Sequence, residues 1–158
     1  MKEPGKKTLI LGLGNPLSGD DRFGAHVLDL LHKNRIELLP GISLADAHTD
    51  LLNHIETFSE YDHIVLVDAI LDPEGKLGEP GRVLTVSEEA FLSWPETSQG
   101  VHQMSPLLAI KLFRAIHPSA QTQITLVGLL VDRIDMVPHY ATPESVEKGA
   151  AAVQALLV

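Results

Sequence analysis

The stretch TLILGLGNPLSGDDRFGAHVLDLLHK, residues 8–33, decides the fold. Its first six residues are continuously apolar instead of alternating, the pattern of a strand buried on both faces of a sheet. Beyond a glycine turn, Phe23, Val27, Leu28, Leu30 and Leu31 recur at helical spacing, so the unit reads as strand, tight turn, and helix from Arg22 to Lys33. Asp20 and Asp21 stand where an N-cap is expected. A short acidic side chain there accepts from a backbone N–H and complements the helix dipole, worth about 0.5–2 kcal/mol. Two adjacent acids are more than a cap requires.

The same unit repeats in outline along the chain. ISLADA (42–47) reads as a short strand, and residues 50–59 place Leu51, Leu52, Ile55 and Phe58 on one helical face. HIVLVDA (63–69) is the clearest strand. RVLTVS (82–87) follows DPEGKLGEPG, whose Pro and Gly content suits neither helix nor central strand. Ser105 and Pro106 open the helix PLLAIKLFRAIH, QITLVGLLV (123–131) is a further buried strand, and Thr142 with Pro143 start a final helix. Strands alternating with helices predict an α/β fold: one domain over 1–158, with a mostly parallel, twisted sheet of about five strands and helices on both faces.

The chain has 158 residues, enough to bury a core without disulfides or structural metal, and it contains no cysteine. Thiolate nucleophiles and thiolate metal sites are therefore excluded. Its formal net charge is −9, with no basic run longer than Lys6–Lys7. Such a surface repels phosphate backbones and anionic lipid, so neither nucleic acid nor membrane is expected as a partner. The N-terminal apolar run is short, is broken by glycines and Asn15, and does not read as a signal peptide, so a cytoplasmic location is expected.

In open sheets of this class ligands bind beyond the carboxyl ends of the strands. Three residues fall there: Asp21 after the first strand, Asp68 at the end of HIVLVD, and His102 in SQGVHQMSP ahead of a helix. Two carboxylates and an imidazole form a three-ligand set with open positions for zinc, nickel, manganese or iron, and ligand type alone does not choose among them. His48, in DAHTD after the second strand, is a further ligand or substrate contact at the same edge. A nucleotide cofactor is not expected, because GLGNPLSG lacks the third glycine of the dinucleotide fingerprint. G-x-S-x-G elbows and phosphate-binding loops are absent.

Taken in order, GLGNPLSGDDRFGAHV (12–27), VLVDA (65–69) and GVHQMSP (100–106) resemble the hydrogenase maturation endopeptidases, and the likeness extends to LVGLLVD and the final Thr-Pro-Glu helix. The resemblance implies an endopeptidase that removes the C-terminal extension from the precursor of a [NiFe]-hydrogenase large subunit. It carries the metal-binding and catalytic roles onto Asp21, Asp68 and His102, with Asn15 and Asp20 supporting them by hydrogen bonds. It also implies that nickel arrives with the precursor, so that cleavage depends on metal loading. The chain departs from the family pattern at two places: Asp46, Ala47, His48, Thr49 puts an imidazole where a glycine is usual, and Arg22 replaces the glycine that commonly follows the paired acids. Both departures bear on precursor specificity, with His48 and Thr49 as candidate substrate contacts. Two other functions compete with this one. A non-catalytic scaffold for metalloprotein maturation would keep the same ligands. Peptidyl-tRNA hydrolases share GLGNP, but their continuation differs from LSGDDRFGAHV and they require a basic surface.

Overall fold

A computed structural model describes residues 5–94 and 106–157. The elements are β1 (Thr8–Leu13), α1 (Phe23–Lys33), β2 (Ile42–His48), β3 (His63–Leu71), β4 (Val83–Ser87), α2 (Glu88–Leu92), α3 (Pro106–Ile116), β5 (Gln123–Val131) and α4 (Pro143–Ala155). Three 3₁₀ segments, Gly19–Arg22, Ile36–Leu38 and Leu51–Glu60, lie between them. The strands form one five-stranded sheet in the order β2-β1-β3-β5-β4. All neighbours pair in parallel except β4, which runs antiparallel to β5.

Both faces of the sheet are covered, which is why the central strands β1, β3 and β5 are largely apolar and buried. Ile10, Val65 and Val127 face Phe23, Val27 and Leu31 of α1 and Ala150 and Val153 of α4. Leu9, Leu11, Ile64 and Leu66 turn to the opposite side, against Leu51, Ile55 and Phe58 and against Ile110 and Phe113 of α3. Ile10, Leu11, Ile64 and Leu66 are completely buried, each contributing roughly 1.5–3 kcal/mol relative to exposure.

Four local readings change. The segment after β2 is a 3₁₀ helix over Leu51–Glu60, and Leu52 lies outside its buried stripe. The short helix α2 was not foreseen; Ser87 caps it through Ala90 N–H, and Glu88 is gripped by the Arg114 guanidinium at 2.6 and 2.9 Å. Asp68 lies inside β3, three residues before its end, since the strand continues to Leu71. Neither Asp20 nor Asp21 caps α1, because both belong to the 3₁₀ turn ahead of it, and the N-cap residue, Arg22, makes no side-chain cap bond. Their carboxylates are committed elsewhere. At α4 the sequence signal holds: Thr142 and Ser145 form a reciprocal capping box, with Pro143 in the first turn.

Candidate active site

The site begins with a difference in strand length. Pairing between β1 and β3 stops at Gly12 opposite Val67, whereas β3 and β5 stay paired up to Leu71 and Val131. Asp68 is thus the first residue of β3 with no β1 neighbour, although Gly128 still faces it from β5. The turn that leaves β1 fills the gap.

Two glycines make this turn close enough to work. Gly14 has φ +100°, and a Cβ there would strike the backbone oxygen and carboxylate of Asp21. A Cβ on Gly24 would strike the carbonyl oxygens of Leu13 and Val67, so α1 starts pressed against the ends of β1 and β3. Within the turn, the Asn15 backbone N–H donates to Asp21 Oδ2 at 2.8 Å, while Asn15 Oδ1 accepts from Leu17 N–H at 2.9 Å. Asn15 therefore orients Asp21 through its main chain and shapes the loop through its side chain.

Asp21 is 4% exposed, and Asp68 is partly covered. Burial pushes the Asp68 carboxyl well above the usual carboxylate range; the charge of Asp21 pushes it further, and the Ala69 backbone N–H opposes the shift. Two carboxyl groups held in electrostatic contact at a sheet edge are a site that a cation would relieve, and their oxygen donors suit a divalent metal.

Asp20 is 1% exposed, and its carboxylate meets the loop after β5. Its Oδ1 accepts three consecutive backbone N–H groups, from His139 at 2.8 Å, Tyr140 at 2.7 Å and Ala141 at 2.8 Å, while Oδ2 is buried with no hydrogen-bond partner among the described residues. Gly19 packs directly on the Asp135 backbone of the same loop. Three large apolar side chains stand out in solvent on these two loops: Leu17 at 78%, Met136 at 75% and Val137 at 61% exposure.

The other expected contacts divide. His48 ends β2 with φ +50°, a left-handed conformation in which glycine is the ordinary choice, and its carbonyl accepts the Gly14 N–H at 2.7 Å. Its ring is exposed and lies 3.4 Å from Asp46, so His48 bears on the site through its backbone. Thr49 is exposed beside it. His102, the third expected ligand, and Ser105, the expected cap of α3, lie outside the described residues. Among the described residues no group of three or more His, Asp or Glu side chains forms a metal-ready cluster. The strand-end rule also points to Asp132, directly after β5, where Tyr140 OH donates to its Oδ2 at 3.3 Å. Asp132 is four residues beyond the level of Asp68, about 13 Å along the sheet, and does not join the pair. The signal missed in the sequence was the role of Asp20, whose partners are about 120 positions away.

No protein-family model matches the chain. It is 25% identical over 144 residues to hydrogenase 2 maturation protease of Escherichia coli (strain K12), covering 89% of this chain and 82% of that protein. It is 33% identical over 129 residues to hydrogenase expression/formation protein HupD of Rhizobium leguminosarum bv. viciae, covering 79% of this chain and 59% of that protein. Among solved structures, the [NiFe] hydrogenase maturation protease HybD from Thermococcus kodakarensis superposes with a TM-score of 0.70 at 25% identity, over 95% of this chain and 98% of the other. HycI from Thermococcus kodakarensis KOD1 shares the fold with a TM-score of 0.71 at 21% identity, over 96% of this chain and 92% of the other.

Proposed function

We propose that the chain is a hydrogenase maturation protease, like the proteins it resembles, and that it removes a C-terminal extension from the large-subunit precursor of a [NiFe]-hydrogenase after nickel insertion. The observation that carries this reading is the Asp21–Asp68 pair, two carboxyl groups brought together at the open end of β1. Nickel is here part of the substrate. Asp21, Asp68 and His102 are the residues that would hold it, and a bound divalent ion supplies Lewis acidity toward a peptide carbonyl or a water. The chain's own contribution is placement. Asn15 N–H fixes the Asp21 carboxylate, and Asp20 locks the loop carrying Met136 and Val137 beside the turn carrying Leu17. These exposed apolar side chains suit a peptide segment brought to the carboxylates. A cytoplasmic location is part of this proposal. Among the described residues no helix is long and apolar enough to cross a membrane.

The test is the mass of the precursor before and after incubation with the purified protein, with and without nickel. Loss of a C-terminal peptide from the nickel-loaded precursor alone is expected, and His102→Ala should abolish it while leaving folding near normal. No mass change with wild-type protein, cleavage that ignores nickel, or undiminished processing by His102→Ala would each overturn the assignment.

A further inference from the structure

We propose that the groove between α1 and the start of α4 docks an acidic segment of the precursor, selected by Arg22, His26 and Lys33. This inference rests on the reading of the chain as a precursor-processing protease. The groove has a volume of about 430 Å³, within the range of built ligand sites and enough for a few residues of extended peptide. Its floor is apolar, with Leu30, Ala141, Pro143 and Val146. One wall carries Arg22, the N-cap of α1, with His26 and Lys33 of the helix itself, and Asp29 is the acidic residue among the lining side chains. The spacing 22, 26, 29, 33 puts these four on one helix face.

Charge makes this face unusual. The chain has 21 acidic residues against 12 Lys and Arg, so an arbitrary patch of its surface repels an acidic peptide. Here two permanent cations and an imidazole stand against one carboxylate. The attraction comes from these side chains, because the α4 terminus is already closed by the Thr142–Ser145 capping box. Arg22 is held in position, its Nε donating to the Gly19 carbonyl at 2.7 Å.

The groove also borders the turn that carries the candidate site. Arg22 directly follows Asp21, and the N–H of Ala141, on the opposite wall, is bound by Asp20.

The experiment uses a fluorescein-labelled hexaglutamate peptide, followed by anisotropy at low salt and by amide chemical shifts. Saturable binding is expected despite the net charge of −9, with shifts confined to residues 22–33 and 141–146. His26→Glu/Lys33→Glu should weaken it about tenfold or more. Lys7→Glu/Lys111→Glu, an even larger charge change away from the groove, should stay within about twofold. Asp68→Asn should bind as wild type even though it does not process precursor, so failure of docking and failure of proteolysis can be told apart. With nickel-loaded precursor, the groove double variant should raise KM and leave kcat unchanged. Absence of peptide binding, equal loss in both double variants, full competition by inorganic phosphate at the peptide's own concentration, or an unchanged KM would each overturn the proposal.

Discussion

Replacing Asp20 by Ala tests whether the loop after β5 is held by one carboxylate oxygen. Three backbone N–H groups converge on Oδ1 at 2.7–2.8 Å. Hydrogen bonds to a charged acceptor contribute about 1.5–3 kcal/mol each, but three donors sharing one oxygen do not add fully, so the clasp is worth roughly 3–6 kcal/mol. Against this, Oδ2 is buried with no hydrogen-bond partner among the described residues, an unfavourable contribution of about 1–3 kcal/mol that Ala removes. The expected net loss is about 2–4 kcal/mol, a large share of the ~5–15 kcal/mol stability of a typical domain. At a slope near ~2 kcal/mol/M the urea midpoint should fall by roughly 1–2 M with the slope unchanged. Asp20→Asn keeps an acceptor at Oδ1 and should lose about half as much. Hydrogen exchange locates the effect, with protection lost first at amides 139–141. A midpoint shift of Asp20→Ala below about 0.5 M, or unaltered exchange at those three amides, would refute the reasoning.

Asp68→Asn should abolish processing yet stabilise the metal-free protein at pH 7. The raised Asp68 carboxyl lets the folded chain keep a proton that the unfolded chain has already released, so its contribution is present at low pH and lost as pH rises through the raised value. The advantage of the variant in urea midpoint should therefore grow from pH 4 to pH 7, and an advantage that shrinks over that range would contradict the cause given. His63, bonded through Nε2 to Thr125 Oγ1 at 2.8 Å, has its pKa lowered by burial and then by Lys6. Its stabilising contribution is present above the ordinary value of 6.5 and lost as pH falls below it, so His63→Gln should flatten the decline in midpoint between pH 6.5 and 5; an unchanged decline would exclude His63 as its source. Gly24→Ala drives a methyl group into the Leu13 and Val67 carbonyls, an overpacking cost of roughly 3 kcal/mol since both obstacles are backbone. The Tm should fall by roughly 6–12 °C, and a loss under about 2 °C would show that α1 can shift away freely.

The sheet was legible because its central strands β1, β3 and β5 carry continuous apolar runs that are buried in the fold. TLILGL and QITLVGLLV end where their apolar runs end, and Thr142-Pro143 marks the start of α4 within a residue. Local signals misled where short-range rules met long-range partners. The apolar residues of 51–60 satisfy a helix pattern, yet the segment winds as a 3₁₀ helix. Glu88 and Glu89 gave no hint of α2, whose anchor, Arg114, lies on another helix. The left-handed His48 is the opposite case: the departure from glycine was visible in the sequence, but only the backbone shows that its carbonyl, rather than its ring, reaches the Gly14 turn.

The paired aspartates follow from the geometry of the turn that carries them. Successive residues of a 3₁₀ helix point about 120° apart, so Asp20 and Asp21, both in the Gly19–Arg22 turn, cannot serve the same partner. One side chain faces the loop at 139–141; the other meets Asn15 N–H and lies within electrostatic reach of Asp68. A helix cap needs one acid, and this turn needs two, because it joins the end of β5 to the end of β1 across the mouth of β3. A displacement of the Met136–Val137 loop is thereby transmitted through Asp20 to the adjacent residue, Asp21. On the proposed reading of this site, loosening Asp20 should slow precursor processing as well as lower stability, because the carboxylate that holds the loop is one peptide unit from Asp21.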